Sequence, residues 1–348
     1  MILEKFCHQL FEACSDIDSI DKSFSFGGEV LNLHFIGDER LCDFFTKAIN
    51  HLEQNVWIEG INVWIIDRFS SGMMLPEPPW HWGDMDSHGT IATLPNELFY
   101  ANYQQISNSF TFLDRKNKRG VIWVNDVREL PEWERSFPFR SLLYQCLDAE
   151  RHLLLHAGSV GTSERGVLLA GRGGSGKSTS TLACLDSPLL YAGDDFMMVD
   201  TDSTNLHSLY NVAKLEQDQL KRFPWLKPHV YNKLSEEGEK AQVFLHDCFP
   251  KKVINSMPLN AILLPKFTGG VSTTLQPASK ADALRALAPS TIALLKTSPS
   301  YLQKIRKLVE PLPCYWLMTG TDLKQIPEKI MECLVKTKIN FDETKSTC

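Results

Sequence analysis

Residues 166–185, GVLLAGRGGSGKSTSTLACL, constrain the fold of this chain more than any other segment. A short apolar run at 166–170 leads into a glycine-rich turn that satisfies the pattern G-x-x-x-x-G-K-[ST]. Glycines at these positions allow the backbone to turn tightly, so that successive N–H groups converge on phosphate oxygens. The segment therefore predicts a buried strand, a phosphate-binding loop (P-loop) and a helix that begins near Ser178.

Each part of this loop has an expected role in binding a nucleoside triphosphate. Lys177 would neutralise the outer phosphates, and the Ser178 hydroxyl would hold Mg²⁺. The positive N-terminal end of the following helix would add to the attraction. The alternative, a glycine-rich turn that only caps a helix, is disfavoured by the strand before it and the helix after it. We expect ATP and Mg²⁺ as ligands, and the predicted nucleotide-binding residues are Gly171, Arg172, Gly173, Gly174, Ser175, Gly176, Lys177, Ser178 and Thr179.

A pair of carboxylates follows the next apolar run. Asp194 and Asp195 come after residues 189–192, which we predict to be a strand parallel to 166–170. The carboxyl ends of parallel strands open onto the same edge of a sheet, so the pair should face the P-loop. One carboxylate could hold Mg²⁺ while the other accepts the proton of an attacking hydroxyl. Adjacent strand residues point to opposite sides, which favours two different roles. The alternative is a solvated acidic pair at the end of a strand.

His156 ends the apolar run 153–156, just before a turn at 161–165 that returns into 166–170. Its strand is expected to neighbour the P-loop strand, which would place the imidazole near the phosphates. Because histidine titrates near neutral pH, the ring could assist proton transfer around a carboxylate. The alternative is a histidine with a purely structural role.

The order of these motifs resembles a known family. His-Ala-Gly at 156–158, the P-loop, and LLYAGDDFMMV at 189–199 resemble the nucleotide-binding core of the HPr kinase/phosphorylase superfamily. The chain is similar, more distantly, to ATP-dependent phosphoenolpyruvate carboxykinase. The resemblance covers about 152–200 and extends in general layout to about 335. It implies that His156 is the catalytic histidine, Lys177 the phosphate-binding lysine and Asp194 the general base. It also implies that Ser178 holds Mg²⁺, and we place Asp195 beside it as a second metal ligand.

Two parts of the family pattern are missing from the sequence. We find neither the E-x-R-G segment, which carries a second metal ligand, nor the basic loop that receives the HPr protein. Glu216 lies at about the right distance, but its surroundings, NVAKLEQDQ, do not match. The chain therefore looks more like the HPr-kinase-related proteins found beside peptide-modification genes, some of which phosphorylate a Ser or Thr hydroxyl on a short peptide.

Composition excludes several other classes of protein. Hydrophobic residues make up 43% and charged residues 22% of the chain, as in ordinary globular proteins. The net charge is −6 and no basic block interleaves with aromatic residues, which argues against a nucleic-acid surface. Nine scattered cysteines without a C-x-x-C spacing fit reduced, cytoplasmic thiols. No leader peptide and no long apolar run is recognised, so we expect no membrane segment.

The length of 348 residues suggests two domains. Strands that alternate with helices predict the α/β class around the P-loop. The family resemblance implies that residues 146–338 form a core of HPr-kinase/carboxykinase type, and we expect an α+β N-terminal domain at 1–145 that could bind a substrate or partner. A flexible tail is expected at 339–348. Residues 206–252 are expected to be polar and irregular. The Trp-, His- and Asp-rich loop 70–89 could grip a substrate or metal, although anchoring by its aromatic residues is the commoner case.

The leading hypothesis is a Mg²⁺-dependent kinase that transfers the γ-phosphoryl group of ATP to a hydroxyl on a peptide or a small molecule. Asp194 would take the proton of that hydroxyl, and His156 would tune Asp194. Lys214 and Lys240 are further candidates to pair with the transferred phosphoryl group. Three alternatives stay open: carboxykinase-like chemistry on a small keto acid, a nucleotide-gated peptide-binding module, and an ATPase that only hydrolyses. A homo-oligomer is compatible with the sequence.

Overall fold

A computed structural model of the chain describes residues 2–95, 97–147, 151–232, 239–295 and 300–345. It is a mixed α/β structure with several sheets, and its contacts divide it into two compact units, Met1–Leu147 and Asp148–Cys348. The helices are α1 Ile2–Ser15, α2 Glu39–Thr46, α3 Arg68–Ser71, α4 Glu132–Ser136, α5 Arg140–Cys146, α6 Lys177–Ala183, α7 Gln217–Leu220, α8 Leu245–Cys248, α9 Lys280–Leu295, α10 Ser300–Val309 and α11 Gln325–Lys345. The strands of the first unit are β1 Ile20–Phe26, β2 Glu29–Ile36, β3 Glu53–Gln54, β4 Ile61–Asp67, β5 Phe99–Gln104, β6 Ser109–Asp114 and β7 Arg119–Val124. Those of the second are β8 His152–Leu155, β9 Ala157–Gly161, β10 Gly166–Ala170, β11 Leu190–Gly193, β12 Met197–Asp200, β13 Asn205–Ser208, β14 Val212–Leu215, β15 Ala241–Phe244, β16 Ser256–Phe267, β17 Thr274–Pro277 and β18 Cys314–Thr319.

The first unit is built on one seven-stranded sheet in the order β3-β1-β2-β4-β7-β6-β5. Strands β2, β4 and β7 are parallel, and the other pairs are antiparallel. Strands β5 and β6 form a hairpin, because a turn that includes Asn108, with a positive φ of 44°, reverses the chain. Helix α1 was not expected; its residues Phe6, Leu10 and Cys14 recur every four positions and are buried as one stripe.

The loop 70–89 is held by an aromatic anchor. Trp80 is buried, and its ring lies edge-on to that of Phe6 with centroids 5.2 Å apart. The carboxylates of the loop are used locally: Asp84 accepts the backbone N–H of His81 at 2.9 Å, and Asp86 accepts that of His88 at 2.8 Å. These contacts favour the anchoring interpretation over a metal site.

The second unit contains a mixed sheet in the order β11-β9-β10-β16-β13-β12-β8, with β18 on β16 and β17 on β18. Strand β9 is antiparallel to both β10 and β11, so these two strands run in the same direction with β9 between them. Strands β16 and β18 are parallel to β10. The carboxyl ends of β10, β11, β16 and β18 therefore lie at one edge of the sheet, where ligands bind in open α/β sheets.

One face of this sheet is covered by α6 and α11. Leu169 of β10 and Leu263 of β16 share a buried cluster with Leu182 of α6 and Ile326 of α11. Helix α9 packs against β8, β10 and β16. No helix in the described part of the chain is long and apolar enough to cross a membrane.

One expectation for this unit differs from the structure. The segment 206–252 is more ordered than expected: β14 pairs with β15 in a two-stranded antiparallel sheet, and β13 joins the main sheet. The final helix runs from Gln325 to Lys345 and includes residues 339–345 of the expected tail, since no proline or glycine interrupts the chain after Pro327; the flexibility of the tail stays a prediction. Residues 346–348 lie outside the described part of the chain.

A buried tyrosine gives a test of this packing. The Tyr301 hydroxyl of α10 donates to the Leu154 carbonyl of β8 at 2.6 Å. We expect Tyr301→Phe to lower the free energy of unfolding by about 1 kcal/mol, since a buried carbonyl loses its donor. Urea unfolding measures the change, with Tyr103→Phe, which removes an exposed hydroxyl contact to Asn108, as the matched control. Equal effects of the two substitutions would contradict a stabilising role for the hydrogen bond between Tyr301 and Leu154.

Candidate nucleotide-binding site

The glycine-rich loop, residues 171–176, joins the carboxyl end of β10 to the start of α6. Gly174 and Gly176 have φ angles of 78° and 102°, in the left-handed region that other residues adopt only with strain. Gly176 is the residue just before the helix, which begins at Lys177, one residue earlier than the sequence predicts. The loop thus has the backbone conformation that the glycine spacing requires.

Lys177 closes this loop on itself. Its side chain is buried, and Nζ donates a 2.8 Å hydrogen bond to the carbonyl of Gly171 at the other end of the loop. Burial lowers the pKa of the Lys177 ammonium, while the charges of Asp194 and Asp195 raise it. The side chain of Lys177 therefore spans the loop, and its amino group lies beside the first loop residue.

The other predicted loop residues differ in exposure. Arg172, Gly173 and Gly174 face solvent, whereas Thr179 is buried in the first turn of α6. The Ser175 N–H donates to the Arg172 carbonyl at 3.1 Å, which makes a tight turn inside the loop. Within the described ranges, no group of three or more His, Cys, Asp or Glu side chains could hold a metal ion by itself.

Asp194 and Asp195 follow directly after β11, at the edge of the sheet that also carries the glycine-rich loop. Asp195 has a φ of 66°, an uncommon conformation for a residue with a side chain. The Phe196 N–H donates to the carbonyl of Asp194 at 2.9 Å and fixes this turn. Because of the turn, the two neighbouring carboxylates have different surroundings.

The Asp194 carboxyl is almost fully buried beside α6. Burial, followed by the charge of Asp195, raises its pKa to about 7, while the Ser178 hydroxyl and the Lys177 ammonium act in the opposite direction. Neither carboxylate oxygen has a hydrogen bond of ordinary length and angle. A buried carboxyl in this state can hold a proton near neutral pH or accept one from a neighbouring group.

Asp195 has the opposite electrostatic character. Burial alone would raise its pKa, but His156, Lys214 and Lys177 outweigh burial and hold the pKa below its ordinary value. His156 Nε2 lies 3.6 Å from Asp195 Oδ1, a polar contact that is longer than an ordinary hydrogen bond. Asp195 is therefore ionised at neutral pH. The hypothesis that His156 tunes Asp194 is wrong in this detail, because the imidazole contacts Asp195.

The position of His156 also differs from the expectation. Strand β8, which precedes it, pairs with β12 and not with the P-loop strand. The strand that follows, β9, is the neighbour of β10, and Ala157 lies opposite Ala170. The histidine therefore reaches the site because it stands at the junction of two strands. Its backbone N–H donates to Thr291 Oγ1 of α9 at 3.1 Å, which fixes that junction.

Gly158 contributes to the site and was not singled out in the sequence. A Cβ atom at this position would lie 2.7 Å from Thr181 Cγ2 and 3.1 Å from Asp194 Oδ1. Only glycine allows β9 to pack this closely against both α6 and the Asp194 carboxyl. The signal in the sequence is a glycine inside a strand, which often marks such an approach of backbone to a neighbour.

Two lysines, Lys214 in β14 and Lys240 just before β15, complete the electrostatic surroundings. The charge of Lys214 helps to lower the pKa of Asp195, and that of Lys240 lowers the pKa of Lys177. Lys240 also forms an ion pair with Glu216, with Nζ and Oε1 3.1 Å apart. The segment expected to be irregular thus brings positive charge to the edge of the sheet that carries the site.

Comparisons with known proteins place few limits on this site. No protein-family model matches the chain, and no curated protein matches it. Among solved structures, the chain has a weak likeness to the HPr(Ser) kinase/phosphatase from Coxiella burnetii, with 12% sequence identity and a TM-score of 0.26. The aligned part covers 55% of this chain and 98% of that chain.

The raised pKa of Asp194 predicts a pH-dependent stability. The folded chain keeps a proton that the unfolded chain releases above the ordinary pKa of 3.8, so this carboxyl's contribution to stability is complete below about pH 4 and is lost as the pH rises to about 7. We expect Asp194→Asn, which cannot ionise, to melt a few degrees above the unmodified chain at pH 8, with the gain shrinking toward pH 4. Thermal unfolding without nucleotide or Mg²⁺ measures the difference.

Asp202→Asn is the control for this measurement, since it removes a carboxylate that is exposed. Its effect on the melting temperature should vary little over the same pH range. A gain for Asp194→Asn that is the same at pH 4 and pH 8 would show that the carboxyl titrates normally in the folded chain.

Proposed function

We propose that this chain is an ATP- and Mg²⁺-dependent phosphotransferase that transfers the γ-phosphoryl group to a hydroxyl acceptor. The observation that carries the proposal is the Asp194 carboxyl, which is buried beside Lys177 and Ser178 with a pKa raised to about 7. A general base works best when its pKa lies near the operating pH. The same edge of the sheet holds a loop whose sequence and backbone suit a triphosphate.

The residues present fit a nucleotide with Mg²⁺. Backbone N–H groups of the glycine-rich loop would surround the phosphates, and Lys177 would exchange the Gly171 carbonyl for phosphate oxygens. Mg²⁺ prefers oxygen ligands and usually binds through one or two protein groups, phosphates and water. The Ser178 hydroxyl and the ionised Asp195 carboxylate supply such oxygens, and the two Asp194 oxygens without ordinary hydrogen bonds lie in the same region. Bound Mg²⁺ would neutralise charge on the phosphates.

Proton transfer then has a defined direction. As the acceptor oxygen forms its bond to the γ-phosphorus, its proton passes to Asp194, and the bond from the γ-phosphorus to the β–γ bridging oxygen breaks. ADP leaves with that electron pair. His156 keeps Asp195 ionised, as its effect on the pKa of Asp195 indicates. Lys214 supplies positive charge on the same side, where it can offset charge on the phosphoryl group in transfer.

The acceptor is proposed as a Ser or Thr hydroxyl of a peptide or an alcohol on a small molecule. This part rests on the motif resemblance to HPr-kinase-related proteins, together with the absence from the sequence of the basic loop that receives HPr. A protein of this kind would operate in the cytoplasm, in a biosynthetic pathway. The first unit of the chain would offer the surface for a substrate or partner.

Substitution of the two aspartates separates their roles. We expect Asp194→Asn to lower kcat by about 10²- to 10⁴-fold, the usual contribution of a general base, with ATP affinity changed only a few-fold. Asp195→Asn should instead weaken ATP binding in the presence of Mg²⁺ and leave Mg²⁺-independent binding unchanged. Transfer of label from γ-labelled ATP to acceptor peptides and alcohols measures turnover, and calorimetry measures binding.

Asp218→Asn, at a fully exposed carboxylate paired with Lys221, is the control and should leave both quantities unchanged. Loss of ATP binding on Asp194→Asn, with turnover retained by Asp195→Asn, would exchange the two roles. ATP binding by the unmodified chain without any transfer would favour a nucleotide-gated binding module, and release of inorganic phosphate alone would favour an ATPase.

A further inference from the structure

The glycine-rich loop has two different flanks along the edge of the sheet. On one side, beyond β9, lies the end of β11, which is followed by the two aspartates; on the other side lie the carboxyl ends of β16 and β18. Strand β16 is directly beside β10, with Leu263 opposite Leu169. Pro265 comes so close to the loop that a Cβ at Gly176 would lie 3.8 Å from its Cβ. The end of β16 therefore borders the loop on the flank away from the aspartates.

An exposed aromatic ring stands at this border. Phe267, the last residue of β16, is 54% exposed, and Val271 in the following turn is 66% exposed. Side chains alternate between the two faces of a strand, so Phe267 shares the face of Pro265 and Leu263, which is the face covered by α6. Within the described part of the chain, the Phe267 ring contacts no other aromatic ring. A large apolar side chain is thus presented to solvent beside the loop.

The turn that follows Phe267 is held rigidly. The N–H and the hydroxyl of Thr268 both donate to the Thr319 carbonyl, at 3.0 and 3.1 Å. The Thr321 N–H donates to the Gly270 carbonyl at 2.8 Å. Gly320 is packed so tightly that a Cβ there would overlap the Val271 carbonyl. These bonds tie the turn to the end of β18 and hold Phe267 and Val271 in place beside the loop.

We propose that Phe267, with Val271 beside it, is the surface on which the purine base of the nucleotide stacks. This inference rests on the proposed nucleotide binding. If the γ-phosphoryl end of ATP faces Asp194, the nucleoside end must leave the glycine-rich loop on the opposite flank. Adjacent strands lie about 4.8 Å apart, so a base that leaves on this flank meets the end of β16 first. Nucleic-acid bases stack on aromatic side chains in this way.

The same geometry disfavours the acceptor as the occupant of this surface. A hydroxyl acceptor must reach Asp194, which lies on the far side of β9 and β10 from Phe267. A long peptide could in principle touch both flanks, and in that case Phe267 would affect the KM for the peptide without any effect on nucleotide binding. The two occupants therefore give different results in one set of measurements.

The test compares ligands with and without a base. We expect Phe267→Ala to weaken the binding of MgATP roughly tenfold, in line with the loss of one base–aromatic stack. The Kd of magnesium tripolyphosphate, which has no base, should stay within twofold of the unmodified chain. Phe267→Trp should restore MgATP binding. Phe69→Ala, at another exposed phenylalanine in the first unit, is the matched control and should change neither Kd.

Each outcome has one meaning. If Phe267→Ala weakens the binding of MgATP and of tripolyphosphate equally, the substitution has damaged the loop itself. If it leaves the MgATP affinity unchanged, base stacking at Phe267 is excluded. Either result overturns the inference and leaves the proposed function standing. If the unmodified chain binds neither MgATP nor magnesium tripolyphosphate, the proposed function is overturned instead. Thermal unfolding of each variant confirms that it is folded, which is expected because Phe267 is exposed.

Discussion

The close approach of β9 to α6 is the constraint on which the candidate site depends. Gly158 favours this approach, because a Cβ there would lie 2.7 Å from Thr181 Cγ2 and 3.1 Å from Asp194 Oδ1, and both side chains would have to move. Strand β9 separates the loop strand β10 from β11, yet Asp194 still reaches the first turn of α6. Gly158 therefore leaves the space in which the Asp194 carboxyl lies between β9 and α6.

A single turn gives the two neighbouring aspartates different surroundings and opposite pKa shifts. Asp194 is buried and has a raised pKa, whereas Asp195, in a left-handed conformation, faces His156 and Lys214 and has a lowered pKa. Two carboxylates with similar surroundings would repel each other and share one proton. Separate surroundings instead give one group that can accept a proton and one that stays anionic, which is the division of labour that phosphoryl transfer to a hydroxyl requires.

The sequence predicts which strands, loops and helices form the site better than it predicts which strands pair with each other in the sheet. The glycine spacing and apolar runs indicate the strand, loop and helix around Lys177, because those signals are local. The partner of β8 is not a local property, so the expectation that the strand of His156 borders β10 is wrong. The contact between His156 and Asp195 depends on the same long-range pairing. Lys214 reaches the site only because β14 pairs with β15, two strands that are 25 residues apart in a segment with little periodicity.

The order of strands also makes the two flanks of the site chemically different along the edge of the sheet. The two carboxylates lie on the β11 flank, where the charge of Lys214 acts on Asp195, and an exposed aromatic ring on a hydrogen-bonded turn lies on the β16 flank. The two ends of a nucleoside triphosphate differ in the same way, with charge at one end and a flat apolar base at the other. Exposed aromatic residues are common on protein surfaces and single ones need no explanation. Phe267 differs because its turn is fixed by hydrogen bonds to β18 and because its strand ends at the same edge of the sheet as the loop. A base that stacked there would therefore lose little free energy to the ordering of the protein surface.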